Sequence, residues 1–281
     1  MRADYAIVGT VSNLSGTGLV LGEQSGANAE VGTDGTFAFP ALFVDGQEFV
    51  VSVLTHPSGP TQLCTVIDGT GVIRASDASV SVNCVAASRV GGAVSGLSSG
   101  QLLLTNAATS LTDTLSINTN GAFSFRIPVL SGEDYEVRVS AHPTTQSCTV
   151  DSDSDLRAVA TGVAGTGDRL DIQIRCEDNV IATVPNTLIL DQESELVLSF
   201  NREMNPDSLS LSGGMAARAA AQWSSATLPN DTLTVSPEPD WGVRGSSDLV
   251  VAVQNIVSQQ LSASFDYDVL PGPVVYLSTE V

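Results

Sequence analysis

Asn120-Gly121-Ala122-Phe123-Ser124-Phe125 sets an Asx-Gly turn directly ahead of an alternating aromatic strand, and it restates Asp34-Gly35-Thr36-Phe37-Ala38-Phe39. The match spreads from that point in both directions. Upstream, Val94-Ser95-Gly96-Leu97-Ser98 restates Val11-Ser12-Asn13-Leu14-Ser15. Downstream, Gly132-Glu133-Asp134-Tyr135 restates Gly46-Gln47-Glu48-Phe49, and His142-Pro143 restates His56-Pro57. Gln146-Ser147-Cys148-Thr149-Val150 then restates Gln62-Leu63-Cys64-Thr65-Val66, and a second cysteine closes each copy, Cys84 and Cys176. The spacing between matched positions drifts only through polar or Gly-rich stretches, as it does where small units vary in their loops. The chain is a tandem duplication followed by a third segment.

Strand signals dominate both copies: short alternating stretches of apolar and polar residues bounded by Gly, Ser, Asn, Asp and Pro. In the first copy they are residues 5–12, 18–21, 36–39, 49–54, 63–67 and 79–85. The pairs Asp34-Gly35 and Asn120-Gly121 predict tight hairpin turns with positive φ. Side chains alternate along a strand, so in Val80-x-Val82-x-Cys84 and Ile172-x-Ile174-x-Cys176 each thiol falls on the apolar face. Cys64 shares a face with Val66, and Cys148 with Val150. Four cysteines allow three pairings. Only Cys64 with Cys84 and Cys148 with Cys176 gives both copies the same internal bond, so these two disulfides are expected.

With 281 residues there is room for three domains of about a hundred residues each. The expected division is 1–87, 88–178 and 179–281, with very short linkers at Ala86–Ser88 and Glu177–Asn179, and an extended array overall. Domains this small bury only about 60 to 65 % of their unfolded surface, which makes a covalent staple useful.

The third segment carries a different pattern. Leu196-x-Leu198-x-Phe200, Thr232 to Val235, Leu249 to Val253 and Ser264 to Val269 read as strands, and Met215 to Ala221 reads as one or two helical turns between them. Pro271-Gly272-Pro273 breaks the chain, and Val274 to Leu277 reads as a last edge strand or the start of a linker.

There are 31 acidic residues against 11 basic ones, a net charge of −20, and every basic residue is an arginine. Each of the three segments is acidic in its own right. No patch resembles the footprint that a phosphate backbone needs, which makes nucleic acid and anionic membrane surfaces poor partners. No apolar run approaches the roughly 18 to 20 residues of a membrane span, and Met1-Arg2-Ala3-Asp4 carries no signal core. A signal or lipid anchor is expected outside these residues, with Met1 an added start.

The ordered series Gly-x-Val, Asp-Gly-x-Phe-x-Phe and Gly-x-x-Phe/Tyr-x-Val-x-Val resembles the prealbumin-like sandwiches found as carboxypeptidase regulatory-like and Cna-B-like modules. The resemblance covers residues 5–177. With Val-Ser-x-Leu-Ser early and Gln-x-Cys-Thr-Val answered by a terminal cysteine, the copies look like tandem modules of bacterial extracellular proteins. In the third segment Leu196 to Met204, with Asn201 where serine is usual, and Asn230 to Pro237 resemble a bacterial Ig-like domain of the SbsA type. The Ala-rich insert before Trp223 departs from that pattern. These resemblances imply spacers, stalks and binding platforms, and they bring no catalytic residue with them. They also imply location outside the cell or at its surface, which suits two buried disulfides. Some Cna-B-like modules cross-link through a lysine; this chain has none.

Few residues carry a pattern that points to chemistry. The cysteines lack the paired C-x-x-C spacing of a metal site. His56 and His142 occupy equivalent His-Pro turns in separate copies, which reads as structural and leaves no general base for a nucleophile. Asp151, Asp153 and Asp155 are spaced like the start of a calcium loop, but Leu156 and Gly162 stand where such a loop needs Gly and Glu. A solvated turn is the favoured reading, with weak calcium binding as the other. Trp223 reads as a strand residue packed in the core, and Trp241 as a partly exposed turn residue. The resulting expectation is an all-β protein of three tandem Ig-like or prealbumin-like β-sandwiches, non-catalytic and without cofactor, serving as a structural or adhesive segment of a larger bacterial surface protein. The alternative is a dedicated module for a surface glycan, a peptide or protein ligand, or calcium.

Overall fold

The computed structural model describes residues 4–98, 100–151, 158–184, 189–242 and 244–270. The chain is all-β and is built of β-sandwiches. In the first copy one sheet places Gly35–Val44, Asp4–Ser12, Ala78–Ser88 and Gln62–Ile67 side by side, and the other runs Asn28–Val31, Leu19–Glu23, Glu48–Thr55, Thr70–Val72. The second copy repeats both orders. Gly121–Ser124, Val90–Ser95, Arg169–Asp178 and Gln146–Val150 form one sheet, and Thr112–Ile117, Leu102–Ala108, Asp134–Ala141 and Val159–Val163 the other. In each copy the first strand pairs with the last in parallel, while the other pairs described are antiparallel.

Alternation explains the packing. Ile7, Val11, Leu19, Leu21, Phe39, Phe43, Val80, Val82, Cys64 and Cys84 all point into one buried cluster between the two sheets of the first copy. Leu102, Leu104, Phe125, Val137, Ile172, Ile174, Cys148 and Cys176 are the buried counterparts in the second. Each large side chain taken out of water there contributes about 1.5 to 3 kcal/mol. Two edge strands, Asn28–Val31 and Thr70–Val72, have no counterpart in the sequence reading, because four and three residues are too few to display a period.

The Asx-Gly pairs do not close hairpins. Gly35 and Gly121 do have positive φ, 129° and 130°. The strands on either side of each turn, however, belong to opposite sheets, so the turn carries the chain across the sandwich. The Asp34 carboxylate accepts the N–H groups of Asn13 and Leu14 at 3.1 and 2.6 Å, and Asn120 brackets Leu97 the same way, accepting its N–H at 2.8 Å and donating to its carbonyl at 2.9 Å. The turn residue is selected to tie down the Val-Ser-x-Leu loop.

The expected linker at Ala86–Ser88 is strand. Ala78–Ser88 runs straight through it, and Ala87 and Ser88 pair with Leu130 and Val129 of the second copy. Both are buried, and the Ser88 hydroxyl donates to the Gly165 carbonyl at 2.8 Å. Small residues with a satisfied hydroxyl fit where a linker would have been polar and solvated. The second expected linker is likewise in use: the strand beginning at Arg169 reaches Asp178, and Asn179 donates its N–H to the Thr145 carbonyl at 2.9 Å.

In the third segment Ile181–Val184, Leu196–Phe200, Thr232–Pro237 and Ala219–Ser224 make one sheet, and Ile189–Leu190, Gln260–Val269, Gly245–Asn255 and Met204–Ser212 the other. Leu198, Leu233, Val235, Leu249, Val251 and Val253 fill the space between. The helical expectation is cut back to a single 3-10 turn at Ala216–Arg218. From Ala219 the alanines join the strand that pairs with Thr232–Pro237, because ladder hydrogen bonds outweigh the helix propensity of so short a run. Trp241 is buried rather than partly exposed, at 1 % of its surface, and its indole N–H donates to the Ser194 carbonyl at 3.0 Å. Residues 271–281, with the expected edge strand or linker, lie outside the described residues.

By contacts the chain divides into two compact units. One comprises Met1–Ala141, Thr149–Asp153 and Arg157–Arg175; the other comprises His142–Cys148, Ser154–Leu156 and Cys176–Val281.

Candidate functional site

The sulfurs of Cys64 and Cys84 are bonded, as are those of Cys148 and Cys176, and all four residues are buried. Cys64 and Cys84 stand directly opposite each other on antiparallel strands. Beside each disulfide lies one of the two histidines. His56 Nδ1 accepts the backbone N–H of Cys64 at 3.1 Å, and His142 Nδ1 accepts that of Cys148 at 3.0 Å. Only a neutral imidazole can accept there. Burial lowers His56 to about 4, and burial together with the charge of Arg202 lowers His142 to about 4. Each histidine is thus held as a neutral peg against the strand that carries its cysteine.

Asp151 is exposed, in a left-handed turn with φ 54°. Its carboxylate accepts the Gln173 N–H at 3.1 Å, and its own N–H donates to the Gln173 carbonyl at 2.7 Å. Asp153 and Asp155 lie outside the described residues. Among the described residues, no group of three or more His, Cys, Asp or Glu is placed to hold a metal ion, and no helix is long and apolar enough to cross a membrane.

A polar network in the second unit centres on Gln259. Its amide group donates to the carbonyls of Pro143 and Gln146, while its Oε1 accepts from Ser147 Oγ at 2.8 Å and Asn255 Nδ2 at 2.7 Å. Ser147 Oγ is also 2.6 Å from Asn179 Oδ1. Nearby, Arg202 is buried and pairs with Glu177 at 3.2 Å. Asn201 donates to the Asp178 carbonyl at 2.8 Å and accepts the Val180 N–H at 2.9 Å. Sequence reading passed over Gln259, Asn255 and Arg202, whose roles depend on partners far away in the chain. A cleft of about 310 Å³ opens alongside, lined by Thr144, Thr145, Asn179, Ile181 and Gln260 to Ala263; none of these side chains titrates.

A second cleft, of about 550 Å³, lies on the second copy over Ala107, Asp134, Tyr135, Glu136 and Gly162. Burial raises the Tyr135 phenol, Asp171 and Asp151 add to the rise, and Arg169 opposes it. A phenol held protonated is no base.

Trp223 is half-buried against Phe200, ring centroids 5.6 Å apart. Asp231 is a residue that the sequence reading missed. Burial raises its carboxyl, but N–H groups of Ala226, Leu228 and Thr227 and the Thr227 hydroxyl, all at 2.7 to 2.8 Å, outweigh that and hold it well below the usual carboxylate range. It ties a turn, as Asp34 does.

No protein-family model matches the chain, and no curated protein is similar to it. Among solved structures, the major pilin subunit BcpA of Bacillus cereus and a variant of it are each 9 % identical to this chain, with a TM-score of 0.28 over 66 % of this chain and 69 % of that one. At that score the likeness carries no argument about this chain.

Proposed function

We propose that the chain is a non-catalytic structural segment, a spacer, of a larger bacterial protein that is secreted or held at the cell surface, with three sandwich domains at 1–87, 88–178 and 179–281. One observation carries this reading: the two histidines, and the polar side chains of the third segment described above, are engaged inside the fold. Both histidines accept from the backbone of their own disulfides, and Asp231, Gln259 and Arg202 tie strands and turns. The duplication supports it too, since a spacer gains length by repetition whereas a site gains nothing from a second inert copy. Calorimetric titration with calcium and a glycan array test the proposal. A flat response in both is expected. Saturable binding of a glycan, or calcium binding abolished by changing Asp151, Asp153 and Asp155 to Asn, would replace the spacer with a dedicated binding module.

A further inference from the structure

The two copies differ from the third segment in how their first and last strands meet. In the first copy, Ile7 to Ser12 lie beside Ala78 to Asn83 in parallel, position for position. In the second, Val90 to Ser95 lie beside Arg169 to Arg175 in parallel, with one register shift. Parallel neighbours have their entry and exit points at opposite ends. Tension applied through the chain therefore pulls the two strands past each other, and every hydrogen bond between them is loaded at once. Antiparallel terminal strands would present both points at one end and open one bond at a time.

Three further features sit on the same path. The last strand of the first copy is backed on its other side by Gln62–Ile67, and the Cys64–Cys84 bond fixes the two together. Its final residues, Ala87 and Ser88, are already paired with Leu130 and Val129, so tension passes into the second copy without a slack linker. Each first strand also keeps a glycine opposite the last one. Gly9 faces Val80, and Gly92 faces Ile172, where an added Cβ would stand 2.6 Å and 1.7 Å from the partner's carbonyl oxygen. The absence of a side chain lets the two backbones close up. Among the described residues of the third segment, the parallel contact comprises two pairs, Ile189 with Asp268 and Leu190 with Val269.

We propose that the two copies are tension-bearing elements, each held shut by its parallel first and last strands, and that the third segment is the part that yields first. This role rests on the spacer reading for its purpose, and its mechanics are tested separately. The whole chain is stretched between its ends in a single-molecule force experiment. The expected record has one early, low-force event and two later events at several-fold higher force. Reduction should lengthen those two by about 70 and about 95 Å, the stretch of the 20- and 28-residue separations spanned by the disulfides.

The decisive comparison changes only the direction of pull. The chain has no lysine, so Ser15→Lys in the exposed loop after the first strand offers a new amine for attachment once the N-terminal amine is blocked. Tension between residue 15 and the C-terminus opens the Ile7 to Ser12 pairing from one end. The first copy is then expected to yield at a several-fold lower force while its urea midpoint stays unchanged. Equal forces in the two geometries, or copies that yield no later than the third segment, would overturn the proposal. Neither result bears on the ligand titrations, and a ligand found there would leave the force comparison standing.

Discussion

His56 and His142 show how one residue type can look catalytic in a sequence and be fixed by its surroundings. Each accepts a backbone N–H through Nδ1, a bond that protonation destroys, and each is lowered to about 4. Above about pH 6.5 neither the folded nor the unfolded chain protonates these rings, and they add no pH dependence. Between about 6.5 and 4 the unfolded chain takes up protons that the fold refuses, so stability falls as pH falls. Below about 4 the folded rings protonate as well, and the loss levels off. Urea unfolding at pH 7 and pH 4.5 checks this. The double change His56→Gln and His142→Gln keeps an acceptor but cannot titrate, and it is expected to lose clearly less stability between the two pH values than the parent; an equal loss would show that the histidines are not the cause. Asp34, Asn120 and Asp231 act at the same scale, each a short polar side chain that takes up the backbone N–H groups of a turn.

At the scale of elements, the strand Ala78–Ser88 matters most, because it closes the first copy and its last residues pair with the second. Insertion separates a through-running strand from a linker. Gly-Ser-Gly placed between Ala86 and Ala87 of the full chain moves Ala87 and Ser88 out of register with Leu130 and Val129, and it separates Ser88 from the Gly165 carbonyl. The same insert between Thr109 and Ser110, an exposed turn between Leu102–Ala108 and Thr112–Ile117, lengthens a loop and is expected to cost about 0.6 kcal/mol or less. The first insertion is expected to lower the denaturation midpoint by several times as much as the second. Equal effects would restore the linker.

For the whole molecule, the two disulfides have different reach. In the chain-entropy model each contributes about 3 kcal/mol by closing a loop of 20 or 28 residues. Cys64 and Cys84 lie in the first unit, so Cys64→Ala with Cys84→Ala is expected to lower the transition of the first copy and leave that of the third segment in place. Cys148 and Cys176 belong with the third segment in the second unit. Cys148 is next to Ser147 in the Gln259 network, and Cys176 is next to Glu177, the partner of Arg202. Their double replacement is expected to lower the transition of the third segment too, contrary to what the sequence alone suggests. Scanning calorimetry of the two variants, with the transitions resolved, checks the difference; a third-segment transition untouched by both would count against it.

Much of this was legible in the residues. Alternation marked nearly every long strand, the matched series marked the duplication, and the shared apolar face put all four cysteines in the core, because each of these follows from the local two-residue period of a strand. What the period cannot give is the identity of a neighbour. Asp34-Gly35 has the chemistry of a hairpin turn, yet only the placement of its flanking strands in opposite sheets decides that it crosses the sandwich. Ala86 to Ser88 has the look of a linker until Val129 and Leu130 arrive beside it, and Trp241 looks exposed until Ser194 accepts its N–H. Each of those partners lies some 40 or more residues away in sequence. A window that reads neighbours along the chain registers the side chain and its face, whereas burial and pairing are settled by long-range packing, and only the tertiary structure contains it.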